Sequence, residues 1–343
     1  MITVFDDTQR SHAPREFIVA GKPQPIPERP QRIDMLMEGV RRLGGPVVPP
    51  PEISGDTIAL VHDRRYIQFL STVWERWQRL ADAAETPAAN VFALGRPGLP
   101  PAHYPDSVVG QCGWHLGDGS APITAQTWAA ARASAATAAH GAKLVLEGER
   151  IAYALCRPPG HHAAADVAAG FCYLNNAALA AALFAGAGRR TAVLDIDVHH
   201  GNGTEAIFYD RADVLTISLH VHPGRFYPFF WGYAEETGRD AGEGFNLNLP
   251  MERGTTIRPY LASLEAALQR IAGFGAEVVV VAAGLDIAVD DPFRGFAIQT
   301  AEFAEIGRHI GMLQLPMLVV QEGGYPSPNL GLNLEQLLRG LSA

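Results

Sequence analysis

Asp195, Asp197 and His199 stand two residues apart at the end of an apolar run, within TAVLDIDVHHGNGT (residues 191–204). In an extended strand, residues two apart project from the same face. Two carboxylates and an imidazole leaving a buried strand together form a costly grouping unless a cation sits among them. The glycines of HGNG then turn the chain. A solvated loop of charged residues is the simpler alternative.

Four other apolar runs also end in residues able to do chemistry. AEVVVVAAGLD ends at Asp286 and RIAYALCRPPGHH at His161–His162. LPMLVVQEGGY ends in Glu322, two glycines and Tyr325, and ADVLTISLH ends in Ser218 and His220. Val/Ile/Leu runs separated by helical stretches read as strands of a parallel sheet covered on both faces. Ligands of such sheets bind beyond the carboxyl ends of the strands. Five functional ends on one sheet edge favour a metal site over a charged loop.

Asp197, His199 and Asp286 form a three-residue N/O donor set for one divalent ion, with a position left for water. Such an ion acidifies the water and polarises a bound carbonyl. His161 and His162, set in a turn by the preceding PPG, supply proton transfer. One acts as base toward the water and the other as acid toward a leaving amine. Tyr325 is placed to donate its hydroxyl to the oxyanion of a tetrahedral intermediate. These parts make a metal-dependent amide or ester hydrolase. The plain alternatives are a pair of loop histidines and a core tyrosine. His220 and His222 read as structural. Asp195 is expected to orient a histidine, or to bind a second, monovalent cation through its carbonyl, rather than to hold the catalytic metal.

The elements that must position these residues fit one α/β domain over 1–343, an open central parallel sheet with helices on both faces. The chain has 343 residues, of which 48% are hydrophobic, enough for a large core. A net charge of −9 argues against a nucleic-acid surface and modestly favours small cationic substrates. Cys112, Cys156 and Cys172 form no CxxC pair and read as reduced thiols of a cytoplasmic protein. MITVFDD reads as a strand without leader-peptide character, and no apolar run is long enough to span a membrane. Helices are expected in ERPQRIDMLMEGVRRLG, in HDRRYIQFLSTVWERWQRL and in the alanine-dense TAQTWAAARASAATAAHGAKLVLEG, with Thr124 as the cap of the last. NNAALAAALFAGAG, TIRPYLASLEAALQRIAGFG and TAEFAEIGRHIGML read as further helices. The tracts KPQPIPERPQR and GGPVVPPPE read as loops, and the Gly/Pro-rich segment 87–121 as a rim or oligomer-contact loop.

Together these motifs resemble the arginase/deacetylase superfamily, in particular zinc-dependent histone deacetylases and bacterial acetylpolyamine amidohydrolases. The matching segments are RPPGHHA (157–163), GFCYLNNAA (170–178), LDIDVHHGNGT (194–204), AGLD (283–286) with Asp291–Pro292, and EGGY (322–325). The resemblance implies zinc on Asp197, His199 and Asp286, His161 and His162 as the acid/base pair, and Tyr325 polarising the acyl carbonyl. It implies a channel wall at Gly170, Phe171 and Tyr227, and a potassium site from Asp195, Asp197, His199, Ser218 and Leu219. FYPFFWGYAEETG and GQCGWHLGDGSAPITAQTW resemble the acetylpolyamine branch, where the second segment narrows the active site across a homodimer and holds a substrate ammonium. Asp118 is the carboxylate available there; the plain alternative is an aspartate that stabilises its LGDG turn. Val109 and Ser120 stand where some relatives carry glutamates, and Asn202 stands where some carry an aspartate partner for the second histidine. The expected substrate is a small cationic N-acetylated amine. The alternatives are acetyl-lysine or another small amide, and, from a different class, a catalytically dead binding protein. An arginase-like ureohydrolase would need a second metal and more aspartates.

Overall fold

Residues 1–93 and 100–343 are described by a computed structural model. Positions 94–99 of the expected 87–121 loop lie outside the described residues. Among the described residues ten strands follow in chain order: β1 (Ile2–Val4), β2 (Glu16–Val19), β3 (Lys22–Pro25), β4 (Val47–Val48), β5 (Ile151–Ala154), β6 (Thr191–Asp195), β7 (Val214–Val221), β8 (Asn246–Met251), β9 (Val278–Ala283) and β10 (Met317–Gln321).

Eight of them build one parallel sheet in the order β4-β1-β5-β10-β9-β6-β7-β8. Alternate residues of β9 serve opposite faces. Val278, Val280 and Ala282 join Leu318 and Val320 in one apolar cluster. Val279, Val281 and Ala283 join Met317 and Val319 in another. Both faces are apolar, which is why these strands read as unbroken hydrophobic runs rather than alternating ones. The alanine-rich helices Thr127–Leu146 and Asn176–Gly186 cover the first face. Helices Gln31–Leu43, Ile257–Phe274, Phe303–Gly311 and Leu330–Leu341 cover the second.

Five local expectations differ from the structure. GGPVVPPPE, read as a loop, carries β4, because its β-branched Val47–Val48 pair extends alongside β1 at the sheet edge. KPQP forms β3 of an antiparallel hairpin with β2, because a two-strand edge needs no ladder hydrogen bond from every residue. Helix Thr127–Leu146 is not capped by Thr124: Gln126 is its N-cap residue, without a side-chain bond, and Thr124 Oγ1 accepts from the Gln126 N–H at 3.3 Å. Ser218 and His220 lie inside β7, which continues to Val221 on the register of β8. The 87–121 segment contains the helix Val108–His115, whose glycines and short length hid its period.

No helix among the described residues is long and apolar enough to cross a membrane.

Candidate active site

Four adjacent central strands, β5, β10, β9 and β6, deliver the reactive residues to one sheet edge. The loop after β5 carries His161 and His162, that after β10 carries Glu322 and Tyr325, that after β9 carries Asp286, and β6 runs into Asp195, Asp197 and His199. Every one of these side chains is buried.

Asp197, His199 and Asp286 converge, their donor atoms all within 4.8 Å of one another. His199 Nδ1 lies 3.1 Å from both Asp197 Oδ1 and Asp286 Oδ2. Backbone amides hold the other two oxygens: Gly323 N–H donates to Asp197 Oδ2 at 2.7 Å and Val198 N–H to Asp286 Oδ1 at 3.0 Å. Burial, reinforced by the Asp197 charge, pushes the Asp286 carboxyl up to about 6. Burial alone would lower His199, but its two carboxylate partners raise it to about 9. Two buried carboxylates crowding one imidazole nitrogen fit a cation, since only added positive charge relieves that repulsion. A methyl group on Gly323 or Gly284 would collide with these carboxylates, so glycine leaves the donor atoms their space.

His161 Nδ1 is 2.9 Å from Asp195 Oδ2. Burial opposes its protonation, but the Asp197 and Asp195 carboxylates outweigh that and raise it to about 10. His162 differs. Burial first, then the charges of His161 and His199, push it well below its ordinary value. Its Nδ1 faces Asn202 Oδ1 at 2.7 Å, and the two imidazole centres are 4.0 Å apart. Tyr325 stands against Phe293 (ring centres 4.9 Å) and Phe171 (5.8 Å). Asp195 and Ser218 are paired residues of β6 and β7, with Leu219 next along the strand.

Residues 26–341 match the histone deacetylase domain. The chain is 39% identical to the acetylpolyamine amidohydrolase of Mycoplana ramosa over 100% of both chains. It is 40% identical to that of Burkholderia pseudomallei, over 100% of this chain and 99% of the relative. The crystal structure of the Burkholderia pseudomallei acetylpolyamine aminohydrolase matches with a TM-score of 0.94 and 40% identity, covering 100% of this chain and 99% of that one. The HD domain of HDA15 matches with a TM-score of 0.81 at 29% identity, covering 100% and 91%. The chain belongs to the histone deacetylase family.

It is therefore a metal-dependent hydrolase acting on amide bonds, with the arginase/deacetylase fold. Several supporting contacts of this deacetylase site cannot be read from the sequence. Glu322 Oε2 accepts from the N–H groups of Gly160 (2.6 Å) and His161 (3.0 Å), holding the histidine turn against the end of β10. Asp291 Oδ2 accepts the Tyr325 N–H at 3.0 Å. Arg32, from helix Gln31–Leu43, donates to the carbonyls of Gly324 (2.6 Å) and Glu322 (2.5 Å) and lies 4.9 Å from the Tyr325 ring centre. Buried Glu28 takes Arg32 at 2.9 Å on one oxygen and Arg157 at 3.0 Å on the other. The charged cluster ERPQR was the available hint, but nothing local reveals that it folds under the EGGY turn.

At the channel wall the half-buried Asp118 carboxylate accepts three donors from the protein: Tyr227 Oη at 2.6 Å, Ser120 N–H at 2.7 Å and Gly170 N–H at 3.1 Å. An open groove of about 810 Å³ starts at His162 and Asp118. It runs past Tyr227 and the exposed run Phe229–Phe230–Trp231 toward Glu205 and Glu236. His220 Nε2 donates to the Gly232 carbonyl at 2.8 Å and holds that loop.

Proposed function

We propose that this chain is a zinc-dependent deacetylase of small N-acetylated polyamines. The observation that carries the reaction is the buried Asp197–His199–Asp286 set lying beside the His161–His162 pair. The substrate class rests on full-length likeness to proteins named acetylpolyamine amidohydrolases. Zinc held by Asp197, His199 and Asp286 would polarise the acyl carbonyl and acidify a water. A monovalent cation, potassium, would sit at Asp195, Ser218 and Leu219, with Asp197 and His199 alongside.

Proton transfer falls to the histidines. Asn202 accepts from His162 Nδ1, which leaves the Nε2 lone pair free on a neutral ring; His162 is the base toward water. Asp195 keeps His161 protonated, and His161 is the acid toward the departing nitrogen. Part of its high affinity for the proton comes from Asp197, and that part shrinks when a cation takes up the Asp197 charge. Tyr325 donates its hydroxyl to the developing oxyanion. The groove beyond His162, with its aromatic wall, accommodates the rest of a cationic amine. The enzyme works in the cytoplasm as a homodimer, with the 87–121 segment at the subunit contact.

A panel of acetylputrescine, acetylcadaverine, acetylspermidine and an acetyl-lysine peptide, run with metal analysis of the same preparation, tests this reading. Turnover of the acetylated diamines well above the peptide supports it. Peptide-preferring activity would move the substrate to acetyl-lysine. No activity in a metal-loaded preparation would leave a binding protein on this scaffold.

A further inference from the structure

The 118–120 turn and the 170–171 turn are stitched together from both sides. Asp118 Oδ2 accepts the Gly170 N–H at 3.1 Å, and the Ser120 carbonyl accepts the Phe171 N–H at 2.9 Å. The same Oδ2 accepts the Tyr227 hydroxyl at 2.6 Å, across 109 residues of sequence. Asp118 Oδ1 is taken by the Ser120 N–H at 2.7 Å. A carboxylate offers about four lone-pair directions, so most of its capacity is spent inside the protein.

The residues it holds are the two aromatic walls beside the reacting groups. Tyr227 stands edge-on to His162, with ring centres 4.9 Å apart and planes at 88°. Phe171 follows Gly170 with a positive φ of 68°, a backbone state that a non-glycine residue keeps only when its surroundings impose it. Its ring packs on Tyr325. Space between the walls is tight: a Cβ on Gly170 would collide with the His162 ring and approach the Tyr227 hydroxyl to 2.9 Å.

We infer that Asp118 is a positioning residue, whose carboxylate clamps Tyr227 and the Gly170–Phe171 turn into the channel wall beside His162, and that it does not bind the substrate ammonium. The Tyr227 hydroxyl is the other half of this clamp. Recognition of the cationic tail then falls to the groove beyond Tyr227. The inference rests on the deacetylase reading of the site.

The test compares Asp118→Asn, Tyr227→Phe and the double variant on acetylputrescine and on N-butylacetamide, a neutral substrate of similar length. Metal content and thermal unfolding are measured on each. A clamp predicts that each single variant loses about tenfold in kcat/KM on both substrates, the worth of one hydrogen bond to a charged group. It also predicts that the double variant is no worse than the poorer single one, with metal content unchanged. A KM increase confined to acetylputrescine in Asp118→Asn would overturn the inference in favour of direct ammonium contact. Multiplying losses in the double variant, or normal kinetics in Tyr227→Phe, would also overturn it. If Asp118→Asn fails to fold, Tyr227→Phe carries the test, because it removes one oxygen and keeps the ring. Failure of the underlying deacetylase reading shows separately, as a wild-type protein that hydrolyses neither amide.

Discussion

Asn202 Oδ1 lies 2.7 Å from His162 Nδ1. An amide oxygen can only accept, so Nδ1 carries the hydrogen and Nε2 is left with its lone pair. A neutral partner supports a positive charge on His162 only through this hydrogen bond, and burial, followed by the charges of His161 and His199, outweighs it and pushes the proton affinity well down. A carboxylate at the same place would do the opposite.

Asn202→Asp is therefore expected to raise the pKa of His162 and move the acid limb of the kcat/KM profile upward by about 1–3 pH units. The sign follows from the role: a base must be unprotonated, so raising its pKa costs activity on the acid side. Metal content should not change. An acid limb that stays in place would remove His162 as the titrating base.

Metal binding depends on the donor set and on the space around it. Asp286→Ala should abolish stoichiometric divalent metal and activity while circular dichroism stays that of the wild type. Gly323→Ala should weaken the site without removing any ligand, because the new methyl would collide with the Asp286 and Asp197 carboxylates. Full metal occupancy of Asp286→Ala under chelator challenge would exclude Asp286 as a ligand.

Tyr325→Phe keeps the ring that packs on Phe293, Phe171 and Arg32 and deletes only the hydroxyl. The expected loss is ~10²–10³-fold in kcat, or about 2.7–4 kcal/mol, as for other oxyanion donors. Unchanged stability together with near-normal turnover would place the oxyanion contact elsewhere.

Glu28 is wholly buried between Arg32 and Arg157. Glu28→Gln leaves two buried guanidinium groups without their counter-charge, and denaturant unfolding should show a loss of about 3–5 kcal/mol. Because Arg32 also holds the Glu322 and Gly324 carbonyls, kcat should fall as well at temperatures where the variant is folded. A loss below about 1 kcal/mol would mean that another group neutralises the arginines.

His62 is buried and neutral, its proton affinity lowered by burial to about 4. Its Nε2 accepts the Asn175 N–H at 2.8 Å, a bond that protonation removes. The folded pKa lies below the ordinary 6.5, so the unfolded chain binds the extra proton. The stability at stake is fully present above pH 6.5 and is lost as pH falls from there toward about 4. At pH 5 the loss from this one group is about 2 kcal/mol. Urea unfolding of the wild type and of His62→Gln between pH 7.5 and 5 should differ in slope, by close to one proton near pH 5. Parallel slopes would contradict the assignment.

Much of this protein was readable from local sequence. A strand buried on both faces must be a continuous apolar run, so polar residues at or just beyond its carboxyl end, such as Asp195, Asp197, His199, Asp286 and Tyr325, stand out wherever their strands lie in the sheet. The period of a helix likewise marks Arg64–Trp77, whose Tyr66, Phe69, Leu70, Val73 and Trp77 are buried. Both signals work because they depend on spacing within a single element.

Strand order did not follow from the sequence. The sequence names the runs but not their neighbours, and β5, β10, β9 and β6 lie side by side although more than 160 residues separate β5 from β10. Pairing β5 with β10 is what sets Glu322 under the His161–His162 turn. The Asp118–Tyr227 bond and the Arg32–Glu28–Arg157 cluster belong to the same class. Each joins residues remote in sequence through side chains whose types are ordinary for a surface. Nothing in a lone aspartate says that it will meet a tyrosine hydroxyl; only the folded chain sets half-buried Asp118 against its three donors.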